Sequence, residues 1–330
     1  MAVKEHINEY FNGRAFMTLS ALMLIVATGA ALFLGIKPES PMQPGMFFTL
    51  GGPLFEPGLA SAAINVLCLL ATGGIMLAVN KVFAFVRSTT HLPAAAFFWL
   101  QIAQPQGLVA LNAGTLLCLV TAIATLPLFA SFQDRHAQRS IFLIFALITT
   151  GILFHYGFLV LLPAFFLGFL NMGVLNLKGL LAMLFGLITP LWIVLGLGIA
   201  SPASIAMPQF NGIWNIASGP HQTTIHALAA VTAATGITLA MVSLMTIMNY
   251  RMQTRVYNAF FVFSLVLTII AMCLDWFSIG IFLPLLSLLV AVQVGHAHTL
   301  RTKRPHRYLY MLLLLATCIA FFTTNFLTIS

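Results

Sequence analysis

The stretch SIFLIFALITTGILFHYGFLVLLPAFFLGFLNMGVL, running from Ser140 to Leu175, decides how this chain folds. It carries no Asp, Glu, Lys or Arg. A transmembrane helix needs about 20 apolar residues to cross a hydrocarbon core of roughly 30 Å, so the run is far too long for one pass. His155-Tyr156-Gly157 interrupts it near the middle. Two short or tilted helices joined by a tight turn, Ser140–Phe154 and Gly157–Leu175, fit the pattern. The same reasoning applies upstream, where Pro105-Gln106-Gly107 divides an equally overlong run into Pro93–Gln104 and Leu108–Ser131.

Working outward, further spans are read at Ala15–Ile36, Leu59–Asn80, Gly179–Ala200, Ile225–Tyr250, Tyr257–Leu274, Phe277–Gly295 and Tyr308–Leu327. The total is eleven passes in an all-α, polytopic membrane protein. Composition demands the same class. Of the 330 residues 61% are hydrophobic and only 6% charged, against roughly 45–50% and 25% in soluble domains. Six acidic and fourteen basic side chains cannot clothe a water-facing surface of this size. A soluble enzyme, a disordered chain and a nucleic-acid-binding domain are excluded.

The basic residues test the count, because cytoplasmic loops of bacterial inner-membrane proteins carry excess Lys and Arg. With the N-terminus inside, the inner segments collect Lys4, Arg14, Lys81, Arg87, Arg135, Arg139, Lys178, Arg251, Arg255, Arg301, Lys303, Arg304 and Arg307, and only Lys37 falls outside. Merging either short hairpin into one pass would put the later basic loops on the wrong side. The C-terminus is then extracytoplasmic. Residues 1–14 read as an interfacial helix on the cytoplasmic surface, followed by one transmembrane domain over residues 15–327. Its outer loops are 37–58 and 201–224, and its basic inner loop is 296–307. The proline-bounded stretch Met46–Phe55 in the first outer loop, with its apolar patch Met46-Phe47-Phe48, reads as a short re-entrant or interfacial element.

Few side chains suggest chemistry. The four cysteines lie in or at the ends of spans with no CxxC pair, so neither a disulfide framework nor a zinc cluster is expected. No metal and no cofactor is expected: the Walker A loop, the GxSxG elbow and the HExxH pair are absent. Glu39 and Glu56 sit in the first outer loop, and Asp275 occupies a helix junction, as a carboxylate at interface depth or an N-cap. His155 lies in the hairpin turn, His221 in the second outer loop and His226 one turn into a span. His296 and His298 fall in the basic loop. Asn65, Gln101, Asn112 and Thr121 are polar groups at membrane depth that read as interhelical contacts. Gly29–Gly35 and Gly186–Gly198 read as sites of close helix packing.

From about Asn80 to Leu197 the order of features carries a resemblance. Arg87-Ser88-Thr89-Thr90-His91-Leu92-Pro93 enters a short apolar segment, and a long span leads to Asp134-Arg135-His136-Ala137-Gln138-Arg139. A hairpin with Leu161-Leu162-Pro163 follows, and then Lys178 opens a span with Gly186 and Thr189-Pro190. This resembles an uncharacterised family of bacterial polytopic inner-membrane proteins and, more distantly, the transmembrane core of the GT-C membrane glycosyltransferases. The second resemblance implies transfer of sugar from a polyprenyl-phosphate donor at the extracytoplasmic face. It implies an acidic catalytic residue in the first outer loop, the place of Glu56 or Glu39, with Asp275 as a third candidate. Lys37, His155 and His221 are then the groups available to hold the donor. The chain lacks the family's usual Asp or Asp-Glu in that loop and its large outer domain. Two other expectations stand beside the enzyme: a non-catalytic membrane subunit of an envelope assembly or secretion complex, and a lipid or solute carrier. The expected partners are membrane lipids, a polyprenyl-phosphate-linked sugar for the enzyme, and other envelope proteins for the subunit.

Overall fold

The computed structural model describes residues 10–38 except 12, 44–86, 90–213 except 209 and 211, 220–247, 250–300, and 314–323 except 316. It is all-α. The helices are α1 (Arg14–Phe33), α2 (Leu59–Phe83), α3 (Leu92–Ile102), α4 (Ala113–Ala130), α5 (Gln138–Phe154), α6 (Leu161–Asn171), α7 (Leu177–Gly196), α8 (Pro220–Ile247), α9 (Met252–Leu274) and α10 (Ile279–Leu300). Helical residues reappear at 314–315 and 317–323. The expected helix over residues 1–14, the span Tyr308–Leu327 and the basic tract Arg301–Arg307 lie wholly or largely outside the described residues.

Among the described residues, seven helices are long and apolar enough to cross a membrane. The stretches Leu92–Ile102, Gln138–Phe154 and Tyr156–Asn171 are shorter, for the reasons the breaking residues give. The hairpin turn is a short 3-10 segment, Tyr156–Val160. Its entry is fixed where the ring Nδ1 of His155 accepts the Gly157 N–H at 2.9 Å. The chain then runs back through α6, and the Gln133 N–H, just past α4, donates to the carbonyl of Met172, just past α6. Asn176 donates from its side chain to the Arg135 carbonyl. These bonds hold the far ends of α4 and α6 together, with Arg135, Arg139 and Lys178 beside them. We call this the basic end.

Upstream, α3 stops at Ile102 and the chain continues irregularly to Asn112, whose side chain caps α4 by accepting the Thr115 N–H at 2.8 Å. Non-helical backbone at membrane depth is tolerated only where protein or water satisfies it. Here α2 does so. Asn65 donates to the carbonyls of Gly107 and Leu108 at 2.9 and 3.4 Å, and Ser61 accepts the Leu111 N–H at 2.9 Å. Leu111 therefore stands level with the start of α2, whereas Pro93 lies against Gly295 near the finish of α10. The segment from α3 to Leu111 thus reaches from the basic end to the opposite one.

The centre of the molecule is α10, which packs against α3, α4, α8 and α9. Gln101 and Cys118 both point at the Pro284 carbonyl of α10, at 3.4 and 3.5 Å. Nearer the basic end, three fully buried side chains close a ring across three helices: Ser243 donates to Gln293 Oε1 at 2.8 Å, Gln293 donates to Asn258 at 3.2 Å, and Asn258 donates to Ser243 at 3.3 Å. Sequence analysis passed over this trio. Their signal was available, since each is a hydroxyl or amide inside an apolar run, where such groups persist when they find partners. Two expected interhelical contacts are corrected. Thr121 bonds the Leu117 carbonyl of its own helix, and Asn112 serves as a cap. The glycine expectation also narrows. A Cβ at Gly186 would come within 2.7 Å of the Phe142 carbonyl, so α7 rests on α5 there. Gly35 and Gly198 instead take positive φ just past α1 and α7 and terminate them.

His296 and His298 are corrected as well. The apolar run carries α10 on to Leu300, so both lie in the helix and are buried. His296 stands 6.0 Å from the Phe85 ring, an apolar setting rather than a headgroup contact.

Candidate functional site

At the end opposite the basic one, three segments far apart in sequence are knitted together. The N–H of Met46 donates to the Ile152 carbonyl, and those of Phe47 and Phe48 donate to Leu153. The Ala206 N–H donates to the Met46 carbonyl, and the Tyr156 hydroxyl donates to the Ala206 carbonyl. Phe48 stacks on Phe154 at 5.2 Å. A side chain at residue 45 is impossible in this arrangement, since a Cβ on Gly45 would lie 2.2 Å from the Phe154 carbonyl carbon. Residues 44–48 therefore form a bent strap across the end of α5 rather than a helix. Backbone groups that α5 leaves unbonded at its C-terminus receive the strap.

His155 lies beneath this strap and is 2% exposed. Its Nδ1 accepts the Gly157 N–H, so the neutral ring carries its proton on Nε2, which has no partner. Burial lowers its pKa from the usual value to about 4. The structure gives a neutral ring that organises a turn.

Asp275 closes α9 and is also buried. Its N–H donates to the Ala271 carbonyl and its own carbonyl accepts the Ser278 N–H at 3.3 Å, but its side chain makes no cap bond. The neighbouring Trp276 is gripped by His226. The two rings stack at 4.6 Å with 4° between planes, and His226 Nε2 lies 3.1 Å from the Trp276 carbonyl. This pair joins the start of α8 to the α9–α10 junction, and sequence reasoning missed it because fifty residues separate the partners.

Glu56 and Lys37 are exposed. Glu56 follows a tie at Leu54, whose carbonyl accepts the Ser61 hydroxyl at 2.6 Å, and this sets it beside the start of α2. Glu39 falls outside the described residues. His221 lies in the first turn of α8 rather than in a loop. No cluster of His, Cys, Asp or Glu that could hold a metal occurs among the described residues. The chain matches no family model, no curated protein and no solved structure. What this end does, on its geometry, is tie residues 44–48, the α5–α6 turn and Ala206 to one another.

Proposed function

We propose that this chain is an eleven-pass protein of the bacterial inner membrane, N-terminus cytoplasmic and C-terminus extracytoplasmic, acting as a non-catalytic membrane subunit of an envelope assembly. The observation that supports the reading is the knitting of three distant segments at the end opposite the basic one. The strap at 44–48, the α5–α6 turn and residues 201–206 bind one another through their own backbone groups, and the buried His155 organises that turn. General acid–base chemistry requires a group within hydrogen-bond reach of a reacting proton. Glu56, the best-placed carboxylate, is exposed on a loop instead. The alternation of ends through both short hairpins supports the eleven passes, and the gathering of Arg14, Lys81, Arg135, Lys178 and Arg251 at one end supports the orientation.

A second reading, a GT-C-like transferase using a polyprenyl-phosphate-linked sugar, draws on one observation. Glu56 sits on the first outer loop where that resemblance requires an acid, and the Leu54 tie holds it in place. Complementation of a deletion strain by Glu56→Gln, Glu39→Gln and Asp275→Asn separates the two. The subunit reading expects all three to complement fully. Loss of function in Glu56→Gln at normal expression, of the about 10²–10⁴-fold size a missing general base produces, establishes the transferase and overturns the subunit.

A further inference from the structure

At the basic end, α5 and α7 begin side by side. A Cβ on Gly179 of α7 would stand 3.1 Å from Ile141 Cδ1 of α5. The link before α5 is tied to the start of α7 through one acceptor: the Arg135 carbonyl receives the side-chain amides of Gln138 and Asn176, each at 3.1 Å. The Oδ1 of Asn176 caps α7, accepting the Gly179 N–H at 2.7 Å. This framework sets three cations in one patch. Arg135 lies on the link, and Arg139 and Lys178 are the second residues of α5 and α7. All three are exposed, and among the described residues no ion pair or side-chain hydrogen bond holds them. The neighbouring acid, Asp134, accepts the His136 N–H of its own turn at 2.8 Å.

The fold alone gives no reason for this arrangement. The first turn of a helix carries partial positive charge and favours anions, so Arg139 and Lys178 oppose the two dipoles on which they sit. Lys81, at the same end of the molecule, lies instead in the last turn of α2, where the dipole favours it. An anion held from outside offsets the patch. Further along α7, Leu180, Leu181, Leu184 and Phe185 are uncovered. We infer that Arg135, Arg139 and Lys178 bind the phosphate of an anionic phospholipid whose acyl chains lie along the outward face of α7. The 20 residues of α7 span roughly 30 Å, the thickness of the hydrocarbon core, so its first turn stands at headgroup depth. Guanidinium and ammonium groups recognise phosphate through charge-assisted hydrogen bonds. A zwitterionic headgroup brings a cation of its own, which the patch repels. The inference needs only that the chain lies in a bilayer, and it depends on neither the orientation nor the subunit reading.

The test uses the full chain in nanodiscs of dioleoylphosphatidylcholine with a minority of dioleoylphosphatidylglycerol. Native mass spectrometry counts the lipids that the released protein retains. Wild type should retain phosphatidylglycerol in preference to phosphatidylcholine. Lys178→Gln should lower that preference roughly fivefold, and the triple change R135Q, R139Q, K178Q about a hundredfold, from the attraction of each basic residue to anionic lipid. The control is Arg14→Gln with Lys81→Gln, which removes two cations of the same end from α1 and α2 and should leave the preference unchanged. In pure phosphatidylcholine the thermal midpoint of the triple variant should be unchanged or raised, because two of its lost charges opposed helix dipoles. Lys178→Gln alone, which keeps both arginines, decides the question if the triple variant does not accumulate. Equal retention of the two lipids by wild type, an undiminished preference in Lys178→Gln, a loss in the control pair as large as in the triple variant, or a lowered midpoint overturns the site.

Discussion

Two helices of nearly equal apolarity behave in opposite ways. The spans containing α7 and α10 have mean hydropathies of 2.1 and 2.3, but 17% of the first is buried inside the protein against 83% of the second. In α10 the whole circumference from Leu285 to Val292 is enclosed. In α7 only Gly179, Gly186, Pro190 and Val194 are covered, a narrow stripe against α5, and Leu184, Phe185 and Trp192 face outward. Among lipid tails apolar side chains gain little by turning inward, so hydropathy does not distinguish a central helix from a peripheral one. Polar and small residues do. Gln293 and His296 mark α10 as central, and Gly186 marks the one line along which α7 touches the protein.

That contrast predicts very different responses to the same substitution. Leu289→Ala, at a position with no exposed surface, opens a cavity among four helices and should destabilise by about 2–5 kcal/mol in thermal unfolding in detergent. A small effect there would contradict the central placement of α10.

The strap supplies a second effect, dependent on pH. His155 is neutral in the fold, with its pKa lowered to about 4, whereas an unfolded histidine titrates near 6.5. Between those values the unfolded chain binds a proton that the folded chain does not. Stability should therefore fall as pH drops from about 6.5 toward 4, by on the order of 3 kcal/mol in total. His155→Gln should make this slope shallower between pH 7 and pH 4. An unchanged slope would place the titrating group elsewhere.

Gln293→Leu sharpens the comparison within α10. It removes the Gln293 acceptor of the Ser243 hydroxyl and the Gln293 donor to Asn258 Oδ1, leaving only the bond from Asn258 to Ser243, and should cost roughly 1–2 kcal/mol. The double variant with Asn258→Leu should cost less than the sum of the two single changes if the ring acts as a unit. Strict additivity would break the ring into independent contacts. At the small end, Leu184→Ala on the outward face of α7 should change stability by under about 0.5 kcal/mol. A larger loss would mean that a partner covers this face.

The helical class, both hairpin breaks and most span positions were legible in the sequence, because apolar length and the residues that interrupt it are local properties. Pro105 and His155 could be read as turns without knowing what packs around them. The interior was less legible. Asn258 and Gln293 meet only once α9 and α10 fold side by side, so the sequence marks each as a group that needs a partner without saying which partner it finds. The candidate site fared worst for the same reason. Glu56, Lys37 and Asp275 were chosen for charge and depth. The strap that organises the end opposite the basic one is made of backbone groups at Met46, Leu153 and Ala206, which carry no side-chain signature. His155 was found, but as a ligand-facing group rather than the neutral pivot of a turn.

The central claim is that the apolar run from Ser140 to Leu175 crosses the membrane twice, as α5 and α6. Single cysteines at Gln133, just past α4, and at Ser204, just past α7, test it directly in cells whose four native cysteines have been replaced. Three passes separate these positions in the account given above. A membrane-impermeant maleimide should label Ser204→Cys in intact cells and Gln133→Cys only after the inner face is opened. Labelling of both from the same side would mean that the run crosses once, and the paired hairpin would be wrong.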